Sequence, residues 1–112
     1  MPDLATRHCV PCEGGVPPLT SEQASERLRQ LDGRWQTMED HHALAANFEF
    51  SNYFRTLAFV NAVAYIAITE DHHPDITFGY RTVHIRYTTH AIDGLSDNDF
   101  ICAARIDALV TA

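Results

Sequence analysis

Between Glu70 and His90 the chain reads E-D-H-H-P-D-I-T-F-G-Y-R-T-V-H-I-R-Y-T-T-H. A histidine pair, His72 and His73, is stopped at once by Pro74, and His90 closes the stretch seventeen residues after His73. Imidazole titrates near neutral pH, so it serves as an acid in one step and a base in the next. Three imidazoles at the two ends of one structured segment can be folded into one small volume. That arrangement suits proton transfer, with Asp71 and Asp99 available to orient the rings or hold their charge. No serine or cysteine has the setting of a nucleophile, and no Gly-rich phosphate loop is present.

Two other readings of the same residues stand beside this one. Neutral imidazoles and a carboxylate are also metal ligands. Adjacent histidines point apart on a helix or strand, however, and the H-x-x-x-H spacing that puts two rings on one helical face is absent. In the plainest reading the histidines only end a helix and decorate a sheet. His41-His42, a second pair, sits in the polar turn Asp40-His41-His42 and reads as solvent-facing.

The elements that must position these residues follow from the pattern. Thr20 with Gln23 fits a capping box and starts a helix that runs to about Leu31. Residues 34–39, around Trp35, read as a strand. Leu44, Ala46, Phe48 and Phe50 alternate with polar or small residues, which predicts a second strand with one buried face. Ser51 is the expected cap of a long helix from Asn52 to about Asp71. That helix is apolar over so wide an arc that it should cover a sheet and something more, such as a second copy of the chain.

Pro74 disfavours helical geometry at His73, so the pair should lie where helix gives way to extended chain. A strand follows over 76–78, then a turn at Gly79. Thr82 to His90 alternates as a further strand, with His84 on the same face as His90 but read as facing solvent. Ile92-Asp93-Gly94-Leu95 is a turn. Ser96 with Asp99 opens the last helix, with Leu95 and Phe100 at the staple positions. The order α-β-β-α-β-β-α predicts an α+β, two-layer domain, its helices packed on one four-stranded antiparallel sheet.

Composition bounds the function classes. The 112 residues are 46% hydrophobic and 21% charged, a globular profile with room for one core. Eight arginines, no lysine and fifteen acidic residues give a formal net charge of −7, which disfavours direct binding to phosphate backbones. No apolar run approaches the roughly 20 residues that span a bilayer, and no signal peptide is evident, so a soluble cytoplasmic protein is expected. Residues 1–18 hold four of the five prolines and the Gly14-Gly15 pair, and are expected to form a flexible leader to a domain over 19–112. Cys9 and Cys12 form a C-x-x-C in that leader, read as reduced thiols on a mobile tail. Cys102 is read as packing.

His72-His73-Pro74, then Tyr80, His90, Gly94-Leu95-Ser96 and Asp99, stand at fixed spacings that resemble the pterin-4a-carbinolamine dehydratases, also called dimerisation cofactors. The resemblance covers Thr20 to Ala112. It implies an α+β fold, a homodimer or homotetramer, and dehydration of a 4a-hydroxytetrahydropterin to the quinonoid dihydropterin, in support of tetrahydrobiopterin recycling. It carries over His72, His73 and His90 as catalytic, and Asp71 and Asp99 as substrate-binding. It implies no metal and no redox cofactor, and an aromatic amino acid hydroxylase as a partner. Two departures stand out: Ile68 where many members have glutamate, and Asn98 where some have arginine. They keep two alternatives open, an oligomerisation or binding module of the same fold and action on another pterin.

Overall fold

The computed structural model describes residues 4–10 and 16–110. Helix α1 (Ser21–Leu28), strands β1 (Gln36–Met38) and β2 (Ala43–Glu49), helix α2 (Tyr53–Glu70), strands β3 (Asp75–Phe78) and β4 (Thr82–Tyr87), and helix α3 (Asp97–Val110) follow in that order. The four strands form one antiparallel sheet in the order β1-β2-β4-β3. The α+β, two-layer architecture with its α-β-β-α-β-β-α order is therefore the observed one.

The alternation in β2 and β4 explains the layer. Leu44 pairs with Tyr87, Ala46 with Ile85 and Phe48 with Val83. All six are buried on the helix-facing side, where period-two alternation sends them. Phe59, Val63 and Ile66 of α2 and Phe100, Ile101 and Ile106 of α3 complete that core. Phe48 and Phe59 rings lie 4.7 Å apart, joining the sheet to α2.

Capping sets the helix starts. Thr20 and Gln23 form the expected capping box on α1. The α2 cap is Asn52 and not Ser51: Asn52 is extended, and its side-chain oxygen accepts the Arg55 N–H at 2.9 Å. Helix α1 ends at Leu28, short of Leu31, because the next turn tightens into Gln30 N–H to Arg27 and Leu31 N–H to Leu28 bonds.

Strand β4 stops at Tyr87, three residues before the expected end at His90. Thr89 exchanges both backbone hydrogen bonds with Gly94, so the chain turns back on itself and His90–Ile92 forms a 3₁₀ turn. His90 therefore does not share a strand face with His84, whose Nδ1 lies 2.8 Å from Asn47 Oδ1 on the neighbouring strand. Gly94 matters sterically as well. A Cβ there would fall 2.6 Å from Pro18 Cβ, so only glycine lets the leader's end close over this turn.

The leader, expected to be mobile or loosely docked, is packed down over residues 4–10. Leu4 is buried in the core, and its 3₁₀ turn lies on α3. The Arg7 carbonyl accepts from the Arg105 guanidinium. Cys12, the other half of the C-x-x-C, lies outside the described residues.

Candidate functional site

Helix α2 ends where its sequence says it must. Asp71 takes the left-handed conformation that terminates a helix (φ 51°), His72 N–H bonds back to Ala67, and Pro74 turns the chain into β3. This ending points His72 and His73 different ways. The His72 side chain is 11% exposed, whereas that of His73 is 73% exposed. Adjacent positions give one ring a buried partner and leave the other in solvent.

The buried partner is Asp99. His72 Nε2 lies 2.6 Å from Asp99 Oδ1. The other carboxylate oxygen accepts the Thr89 hydroxyl at 2.8 Å and the Ser96 N–H at 2.9 Å. The second of these is the reach-back half of a capping box, with Asp99 as the third residue of α3. The Ser96 hydroxyl lies 2.8 Å from the Thr89 hydroxyl. Asp99 is fully buried, and these donors satisfy its carboxylate in place of water. Its place in the site is behind His72, outside the cleft lining.

Tyr87 forms the floor under His72. The two rings are parallel within 2°, with centroids 5.6 Å apart. The Tyr87 hydroxyl is buried beside the Cys102 thiol, and burial pushes its pKa well up.

An open cleft of about 700 Å³ lies over these residues. His72, His73, Pro74 and Asp71 form one wall, and Thr88, Thr89 and His90 another. The two ends of the histidine stretch thus meet across one volume. Asp71 sits exposed at the rim, its Oδ1 3.8 Å from His73 Nε2. His41, His42 and His84 take no part in the lining.

Sequence reasoning missed the third wall, made by Cys9 and Val10 of the leader with Asn98. Asn98 clamps Val10 by both ends of its amide, accepting the Val10 N–H at 3.0 Å and donating to the Val10 carbonyl at 2.7 Å. Glu70 holds the preceding residues: it accepts the Cys9 N–H at 2.7 Å and lies 3.0 Å from His8 Nδ1. Burial alone would raise the Glu70 pKa, but the Cys9 N–H, His8 and nearby Arg105 outweigh it and hold the carboxyl below the usual range. Cys9 Sγ lies 3.5 Å from Cys102 Sγ. Ile68, at the position where glutamate was noted as the commoner residue, is an exposed side chain on α2. Glu70 does not take over that position, since both its oxygens are engaged by the leader.

Chemically, the site offers one oriented imidazole with a buried carboxylate behind it and two exposed imidazoles facing the same volume. Its lining contains hydroxyls and acids but no group of three His, Cys, Asp or Glu side chains, among the described residues, arranged to hold a metal ion. Imidazoles so placed are able to give and take protons near neutral pH.

Residues 17–109 match the family described as pterin 4 alpha carbinolamine dehydratase. A protein of Nitrosospira multiformis is 57% identical over 96% of this chain and 92% of its own length. One of Nitrosomonas eutropha is 55% identical over 96% of this chain and 94% of its own. Both are described, provisionally, as pterin-4-alpha-carbinolamine dehydratases. Among solved structures, a transcriptional coactivator/pterin dehydratase from Brucella melitensis superposes with a TM-score of 0.78 at 30% identity, covering 82% of this chain and 97% of that one. A pterin dehydratase-like protein identified as a RuBisCO assembly factor in the alpha-carboxysome gives a TM-score of 0.61 at 29% identity, covering 70% of this chain and 90% of that one.

Removing the carboxylate of Asp99 strands three donors at once, the buried Thr89 hydroxyl and the partly buried His72 Nε2 and Ser96 N–H. Asp99→Ala is expected to lower unfolding stability by at least about 2 kcal/mol, measured by urea denaturation. A change below about 0.5 kcal/mol would mean that the network contributes little.

Proposed function

The chain belongs to the pterin-4a-carbinolamine dehydratase family, and from that premise we propose that it dehydrates a 4a-hydroxytetrahydropterin to the quinonoid dihydropterin. The observation that carries this reading is the buried Asp99 carboxylate on His72 Nε2, at the wall of a cleft that His73 and His90 also line.

The reaction needs two proton movements. The hydroxyl leaves C4a as water once an acid protonates it, pushed out by the lone pair of N5. A base takes the N5 proton, and the C4a=N5 bond is formed. No proton is gained or lost overall. Each well-placed acid or base contributes about 10²–10⁴-fold.

Asp99 decides what His72 can do. A neutral imidazole must place its proton on Nε2 to donate to the carboxylate, which leaves the lone pair on Nδ1. His72 is therefore assigned the base, accepting the N5 proton at Nδ1. His90, exposed on its 3₁₀ turn across the cleft, is assigned the acid for the departing hydroxyl. His73 and Asp71, both at the rim, bind the substrate's polar edge. The substrate's source is a pterin-dependent hydroxylation, and an aromatic amino acid hydroxylase is the partner this chemistry implies.

A homodimer or homotetramer belongs to the same proposal. Phe54, Tyr65 and Ile68 are 83%, 68% and 75% exposed along one side of α2. Their spacing of eleven and three residues keeps them on one stripe, and apolar area of that kind is usually covered by a partner. A second reading, a binding or assembly module without turnover, draws support from the structural likeness to a RuBisCO assembly factor and from Ile68.

With 4a-hydroxytetrahydropterin generated by a hydroxylase, the protein should speed its loss, and His72→Ala should lower turnover at least tenfold while keeping the wild-type circular dichroism spectrum. No acceleration by the folded wild type would transfer the case to the assembly module, and full activity in His72→Ala would remove that residue from the mechanism. By sedimentation equilibrium the protein should weigh two or four times 12.6 kDa, and Phe54→Asp with Tyr65→Asp should drive it toward that single mass. A wild-type mass of 12.6 kDa would refute the assembly.

A further inference from the structure

Cys9 and Cys102 are far apart in sequence and adjacent in space. Cys102 lies on the buried side of α3 with no exposure, whereas Cys9 is partly exposed and lines the cleft. Their sulfurs are 3.5 Å apart, so a disulfide needs a closure of roughly 1.5 Å. The strap that carries Cys9 is held on both sides of that residue, by Glu70 at the Cys9 N–H and by Asn98 at Val10. The two thiols are thus presented to each other by the fold, which is the arrangement of a redox-sensitive pair rather than of an isolated core cysteine.

We propose that Cys9 and Cys102 form an oxidation site at which a hydroperoxide creates an intramolecular disulfide, fastening residues 8–10 onto α3 as the wall of the cleft. Cys9, the accessible thiol, reacts first. Its sulfur attacks the peroxide O–O bond, becomes a sulfenic acid, and releases an alcohol, or water from hydrogen peroxide. The Cys102 sulfur then attacks the Cys9 sulfur. The S–S bond forms, the S–O bond breaks, and the hydroxyl leaves as water with the Cys102 proton. Two thiols are oxidised and one peroxide is reduced.

The assignment of order follows from environment. The hydrogen bond to Cys9 and burial both push the Cys102 pKa up, so Cys102 is held as a thiol and shielded from an oxidant in solution. Cys9 sits at the cleft surface, where a small peroxide can reach it. The product closes a loop across almost the whole chain. It also ties the cleft wall made by Cys9 and Val10 covalently to the helix that carries Asp99.

The test uses the full chain. The reduced protein is treated with a few equivalents of hydrogen peroxide, free thiols are alkylated, and the unreduced digest is mapped by mass spectrometry. A Cys9–Cys102 peptide pair that dithiothreitol removes is expected. The oxidised protein should melt at least about 5 °C higher than the reduced one. Cys12→Ser should retain both effects, and Cys9→Ser should lose both. A Cys9–Cys12 link, a link between two chains, or Cys9 oxidised past the sulfenic stage with Cys102 still a free thiol would overturn the proposal.

Discussion

The site depends on one buried carboxylate. Asp99 has no contact with solvent, and an imidazole, a hydroxyl and a backbone N–H all point at its carboxylate. Each donor comes from a different element: His72 from the end of α2, Thr89 from the turn after β4, and Ser96 from the start of α3. One side chain therefore fixes the relative placement of three parts of the fold. The same bonds that cap α3 orient the ring that faces the cleft, so helix capping and site geometry are a single constraint.

That constraint also explains why two adjacent histidines differ. The left-handed Asp71 and the proline after His73 leave only one of the pair able to turn inward. His72 is stacked on Tyr87 and tied to Asp99, and it loses its rotational freedom when the protein folds. His73 stands exposed at the rim, near Asp71. A held group suits the base proposed for His72, whose geometry must be right in the transition state.

Much of this was legible in the chain because it is local. The capping residues Thr20 and Gln23, the alternation of Leu44, Ala46 and Phe48, and the stop at Pro74 depend on neighbours a few positions away. Ser51 was read as the α2 cap in place of Asn52 because both residue types cap well, and their order is settled only by which backbone is extended. The strand over Thr82 to His90 was read three residues too long, since nothing in its alternation announces the Thr89–Gly94 bridge. The place of Asp99 behind His72, outside the cleft lining, needs a contact across 27 positions. The leader was the largest departure. Its prolines and glycines suggest looseness, but Leu4 finds a place in the core and Asn98 binds Val10 across 88 positions. Such pairings leave no periodic trace in a single sequence.

Whether His72 can serve as the proposed base depends on the tautomer it holds beside Asp99. A long-range ¹H–¹⁵N spectrum of the protein labelled at histidine nitrogens, recorded at a pH where the ring is neutral, reports that state directly. It should show His72 with its proton on Nε2 and an unprotonated Nδ1, and Asp99→Asn should remove that preference. A neutral His72 with its proton on Nδ1 in the wild type would contradict the assignment of its lone pair to the cleft, and with it the role of His72 as base.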